Sequence, residues 1–89
     1  MTTDSWFVYI VRCADNTLYT GVARDVEKRL QQHNHGNAGA KYTRSRRPVE
    51  LVYRECAANR SVAQQREYRI RRLSTAQKRQ LIESGTGLT

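Results

Sequence analysis

An α+β sandwich, a three-stranded and mainly antiparallel sheet flanked by helices in the order β-β-α-β-α-α, is the fold class that three features of this chain predict. Two short runs rich in Val, Ile, Tyr and Thr are separated by Ala14, Asp15 and Asn16, the pattern of a hairpin with a tight loop. A third run, Val49 to Cys56, has strand composition. Two segments then open on capping-box patterns, Ser61 with Gln64 and Ser74 with Gln77, and read as helices. The 89 residues suffice for one compact domain, expected over residues 1–83, with a flexible tail over residues 84–89.

The first strand is expected from Trp6 to Cys13 and is apolar on both faces until Arg12, as a central strand should be. The second is expected from Thr17 to Ala23. A three-residue loop with Asn16 in the left-handed conformation pairs Cys13 with Thr17, Val11 with Tyr19 and Tyr9 with Gly21, which places both tyrosines on one face. A two-residue loop would send them to opposite faces. Asp25 is the expected N-cap of a helix from Val26 to His33, with Val26 and Leu30 buried and Arg29 and His33 on one flank of that stripe.

Residues 34–48 hold two glycines and the basic run Lys41, Arg44, Arg46 and Arg47, and read as a long exposed loop. On the third strand Val49, Leu51 and Tyr53 are expected on one face, with Val52 and Cys56 on the other. The helix opening at Ser61 should run to Leu73, and a last helix from Ser74 to Glu83 should turn Ala76, Gln80 and Leu81 towards the core.

Sixteen Lys and Arg against eight Asp and Glu leave a formal charge of +8. Arginine forks pair with phosphate oxygens and stack on bases, so the balance points to a polyanionic partner, nucleic acid first. Cys13 and Cys56 lack metal-ligand spacing, which argues against zinc, and are expected to be reduced and buried. No signal peptide or membrane-spanning run is evident, so the expected location is the cytoplasm, acting on substrate at the nucleoid.

Among the acids, Glu67 stands out because it shares a helix face with Ala63 and Ile70. Its partner is either Arg71, one turn later, or a metal ion of the Mg²⁺ type, which takes one or two carboxylates and keeps water in the rest of its shell. The eight acids are not grouped, so metal chemistry here should use a single ion. Arg29 suits stabilisation of charge on a phosphoryl group. Tyr9 and Tyr19 are either a packed cross-strand cluster or, where positive charge lowers the pKa of a phenol, proton acceptors. His33 is read as a boundary histidine or an assisting base.

Together these residues resemble the GIY-YIG nuclease domain over nearly the whole chain, up to about Glu83. Val8-Tyr9 resembles the first half of the name motif, and Tyr19-Thr20-Gly21 the second. Arg29 stands where the family's catalytic arginine is expected, His33 matches a histidine of some members, and Glu67 matches the metal-binding glutamate. The run from Gly39-Ala40-Lys41-Tyr42-Thr43 to Arg47-Pro48-Val49 is similar to the small single-domain bacterial branch, and more distantly to branched-DNA endonucleases. Phe7 replaces the motif's glycine, Val22 replaces a lysine of the excision-repair members, and Arg79 stands where an asparagine is expected.

The resemblance implies metal-dependent DNA endonuclease activity, with one Mg²⁺ or Mn²⁺ per site and Tyr9, Tyr19, Arg29 and His33 as the catalytic set. It implies a role in DNA repair or recombination, with no membrane and no small organic cofactor involved. Without an appended DNA-binding domain, Lys41, Tyr42, Thr43, Arg44, Arg46 and Arg47 are expected to bind the nucleic acid, with Tyr42 stacking on a base. That arrangement suits single-stranded or branched DNA, with RNA a second candidate. The alternative function is a non-catalytic module that binds RNA or DNA on the same fold.

Overall fold

In the computed structural model, residues 5–36 and 39–85 are described. The elements are β1 (Trp6–Arg12), β2 (Leu18–Ala23), α1 (Val26–Asn34), α2 (Lys41–Arg44), β3 (Glu50–Ala57), α3 (Arg60–Arg71) and α4 (Thr75–Ser84). The sheet order is β2-β1-β3, with both pairings antiparallel. This is the expected α+β sandwich, with one short helix added between α1 and β3.

The hairpin has the predicted loop. Asn16 is left-handed with φ 67°, Cys13 N–H donates to Thr17 O at 2.8 Å, and Tyr9 lies opposite Gly21. Because β1 is central, four successive residues from Val8 to Val11 are buried, and they feed two cores on opposite faces. Val8 and Ile10 pack with Tyr53, Ala57, Ala63 and Ile70 under α3 and α4. Tyr9 and Val11 pack with Cys13, Ala23, Val26 and Val49 under α1.

The third strand departs from simple alternation. Ile10 pairs with Tyr53 and Val11 with Leu51, so Val52 is an extra residue in a bulge. The bulge reverses the parity, and Tyr53 joins the α3 side while Val49 and Leu51 stay on the α1 side. The expectation that all three share a face is therefore corrected. Cys56 is exposed, against expectation, while Cys13 is buried as expected.

Helix starts follow their caps. Asp25 accepts from Lys28 N at 3.0 Å, and Ser74 and Gln77 form the complete predicted capping box. For α3 the cap is Asn59, which accepts from Val62 N at 2.9 Å, so the helix begins before Ser61. In α4, Leu81 and Ile82 pack on the core, whereas Ala76 and Gln80 are exposed. Ser84 closes α4 and Gly85 lies against the Tyr53 ring, where a Cβ would come 2.7 Å from Cδ1. Of the expected tail, only residues 86–89 remain, and these lie outside the described residues.

The described residues of the connection after α1 are folded onto the body. Asn34 clasps Val49 with both ends of its amide, accepting from Val49 N at 2.7 Å and donating to Val49 O at 3.0 Å. Arg47 donates to His33 O and Gly36 O, both at 2.7 Å, and so satisfies carbonyls left open at the end of α1.

Candidate active site

Tyr9 and Tyr19 project from the hairpin on the face that α1 covers, because the loop sets their parity. Gly21 lies across from Tyr9, and a Cβ there would come 2.5 Å from Tyr9 Cζ. Only glycine leaves the ring its place. Tyr9 is 2% exposed, and its hydroxyl lies 2.8 Å from His33 Nε2.

His33 is fully buried. Val26, Leu30 and His33 follow at i, i+4 and i+7, so the imidazole continues the apolar stripe of α1 into the core instead of sitting at the boundary. Its Nδ1 lies 2.9 Å from Thr43 Oγ1, and Thr43 Oγ1 in turn donates to Ala40 O at 2.9 Å. All three short contacts are satisfied at once only when His33 carries its proton on Nδ1. Tyr9 O–H then donates to Nε2, Nδ1–H donates to Thr43, and Thr43 O–H donates to Ala40 O. The other tautomer would favour the longer 3.3 Å approach of Ala40 N to Nδ1 and forfeit a short bond. Burial and the charges of Arg29 and Arg47 lower the His33 pKa to about 4, so the ring is neutral near pH 7.

Arg29 stands beside this line and donates to Gln32 Oε1 at 2.9 Å. Burial is the main influence on Tyr9 and pushes its pKa up to about 12, while the Arg29 hydrogen bond and charge oppose it. Tyr19, half-buried, meets His33 edge-on at 5.4 Å between centroids and stacks on Tyr42 at 5.7 Å. The Arg46 guanidinium lies 4.0 Å over the Tyr42 ring and is itself held by Asp15 at 3.0 Å. A stack thus runs from the buried histidine to the hairpin loop.

Glu67 comes from α3, in the opposite layer. Its side chain is 22% exposed and lies 3.7 Å from Arg71, and its negative charge raises the pKa of Tyr9 across the sheet edge. Of the two partners foreseen for Glu67, Arg71 is present as a loose ion pair. No group of three His, Cys, Asp or Glu residues suited to a metal occurs among the described residues. One carboxylate fits a hard ion that keeps most of its own water, and not a cage of protein ligands.

The structure therefore brings Tyr9, Tyr19, Arg29 and His33 together, with Glu67 near them. The six residues expected to bind nucleic acid divide. Lys41 and Arg44 are exposed on α2, and Tyr42 is 38% exposed, but its ring is already engaged by Tyr19 and Arg46. Arg46 is paired with Asp15, Arg47 is turned onto backbone carbonyls, and Thr43 is fully buried against His33. The expectation that Thr43 contacts nucleic acid is corrected by that burial. Its place in the histidine line was not legible, because a threonine among lysine and arginines carries no periodicity that marks it as buried.

Residues 5–80 match the family model described as GIY-YIG catalytic domain. A UPF0213 protein of Desulfotalea psychrophila is 55% identical over 80 residues, which cover 90% of this chain and 73% of the relative. A UPF0213 protein of Haloquadratum walsbyi is 51% identical over 85 residues, covering 96% of this chain and 94% of the relative. Among solved structures, the solution NMR structure of a UPF0213 protein from Bacillus halodurans is similar at a TM-score of 0.59 and 37% identity. That match covers 94% of this chain and 87% of the other.

Proposed function

The chain belongs to the GIY-YIG catalytic domain family, and from that premise we propose that it is a divalent-metal-dependent endonuclease that hydrolyses DNA phosphodiester bonds, preferring single-stranded or branched DNA. The observation that carries this reading is the buried hydrogen-bonded line from Tyr9 through His33 to Thr43, with Arg29 beside it. A buried tyrosine hydroxyl needs a partner in any case, and what supports catalysis is that this line lies beside Arg29 and Tyr19.

In the proposed reaction a water oxygen attacks phosphorus and the bond to the 3′ oxygen breaks, leaving a 5′ phosphate and a 3′ hydroxyl. Tyr9 accepts the water's proton as its own proton passes to Nε2 of His33, a transient state because burial and two arginines hold that ring's pKa to about 4, and the leaving 3′ oxygen takes its proton from water. Thr43 holds Nδ1–H and keeps the imidazole in the orientation that receives that proton. Arg29 stabilises the negative charge that builds on the phosphoryl oxygens, and Tyr19, with its ring against His33, lines the approach. Glu67 would hold a single Mg²⁺ or Mn²⁺ ion, which supplies charge neutralisation for the leaving 3′ oxygen when bound.

Work on DNA repair or recombination substrates in the cytoplasm fits this chemistry and the charge of +8. No helix among the described residues is long and apolar enough to cross a membrane. The test is incubation of wild type, Tyr9→Phe, Arg29→Ala and Glu67→Ala with labelled single-stranded, duplex and forked DNA and with RNA, in Mg²⁺, Mn²⁺ or chelator. Metal-dependent cleavage of single-stranded or forked DNA that all three variants lose supports the proposal. Salt-sensitive binding with no cleavage by wild type would identify a non-catalytic binding module instead.

A further inference from the structure

Beside the tyrosine and histidine line lies a cleft of about 300 Å³ bounded by Leu18, Tyr19, Thr20, Tyr42, Arg71 and Lys78. It runs along β2, an edge strand of the sheet, between a wall of aromatic rings from β2 and α2 and a wall of cations from α3 and α4. Thr20, 5% exposed, lines the cleft, and its hydroxyl is buried without a hydrogen-bond partner among the described residues. Arg71 reaches towards Glu67 at only 3.7 Å, with a side chain 66% exposed, so it is loosely held and joins the cleft to the candidate metal residue.

The volume of the cleft sits at the low end for ligand sites, enough for one nucleotide and far too small for a duplex. Rings opposite cations match the two halves of a nucleotide, the base and the phosphate. Within the basic run, Arg46 and Arg47 are committed to contacts within the protein, whereas Tyr42 lines the cleft.

Resting on the nuclease reading, we propose that this cleft holds one unpaired nucleotide next to the bond to be cut, with its phosphate on Arg71 and Lys78 and its base against the rims of Tyr19 and Tyr42. Preference for single strands then arises between β2 and the cations of α3 and α4, with Tyr42 the one residue of the basic run that takes part. Arg71 changes partner when substrate arrives, leaving Glu67 for the phosphate.

The experiment measures fluorescence anisotropy of a labelled single-stranded DNA oligonucleotide and a duplex of equal length, in chelator so that nothing is cut. Wild type is compared with Arg71→Ala/Lys78→Ala and with a charge-matched control, Lys28→Ala/Arg69→Ala, whose side chains lie outside the cleft. The cleft variant is expected to bind the single strand roughly tenfold to a hundredfold more weakly, with duplex binding changed no more than in the control. Its slope of log affinity against log salt should fall by roughly 0.7–1.4, for one or two phosphates released. Equal single-strand binding by the cleft variant and wild type would overturn the proposal, as would an equal loss on both DNA forms. Because binding is read without catalysis, either result leaves the nuclease reading to be judged separately by cleavage with the Glu67 variant.

Discussion

The hydroxyl of Tyr9, in the middle of the central strand, lies 2.8 Å from Nε2 of His33, 24 residues further along the chain in the last turn of α1. Replacing that hydroxyl removes the donor that Nε2 has among the described residues, at a fully buried acceptor. Tyr9→Phe is expected to fold, to lose about 1–3 kcal/mol of stability, and to lose cleavage by roughly 100-fold or more. Urea unfolding and single-turnover cleavage measure the two effects. Cleavage near the wild-type rate would remove Tyr9 from the chemistry.

Gly21 sets the position of that ring. A Cβ at residue 21 would lie 2.5 Å from Tyr9 Cζ and closer still to its hydroxyl, so Gly21→Ala must push the ring towards α1. The expected loss is about 1–3 kcal/mol from overpacking, with cleavage reduced as far as in Tyr9→Phe. Affinity for single-stranded DNA should stay within about twofold, because the side chains proposed to bind it are untouched.

Folding lowers the pKa of His33 from an ordinary 6.5 to about 4. Between those values the unfolded chain binds a proton that the folded chain refuses, so stability rises with pH across this window. The contribution is fully present above about pH 6.5 and is lost as the pH falls to about 4, for a total of about 3 kcal/mol. An NMR titration of the His33 ring should show no protonation above about pH 5. A midpoint near 6.5 would contradict the buried neutral ring.

Arg47 tests the difference between a structural and a DNA-binding arginine. Its fork donates to His33 O and Gly36 O, and lysine cannot reproduce that geometry while keeping the charge. Arg47→Lys is expected to destabilise the fold by about 1–2 kcal/mol in urea while leaving DNA affinity within about twofold. A large loss of affinity with unchanged stability would return Arg47 to the binding surface.

These residues also mark what could be read from the chain. The hairpin register was legible because one residue type, an asparagine able to adopt positive φ, fixes the loop and the loop fixes the parity of Tyr9 and Tyr19. The bulge at Val52 was not, since an inserted residue leaves an apolar run looking the same. Of the candidate site, Arg29 and Glu67 stood out by helical spacing, whereas the burial of His33 depended on α2 folding back over it. The short α2 has no apolar stripe of its own, and its packing rests on the Thr43 hydroxyl and on the stack of Tyr42 on Tyr19, 23 residues earlier in the chain. Arg47 looked like one more surface cation because the carbonyls it satisfies belong to a different element.

The most direct test of the central claim is single-turnover cleavage of a labelled single-stranded DNA by wild type and Glu67→Gln, with and without Mn²⁺, and with binding measured on the same samples. Wild type should release fragments with 5′ phosphate and 3′ hydroxyl ends only when the metal is present, and Glu67→Gln should bind the strand but leave it intact. Cleavage that persists in Glu67→Gln at the wild-type rate, or a wild type that binds and never cuts, would contradict it.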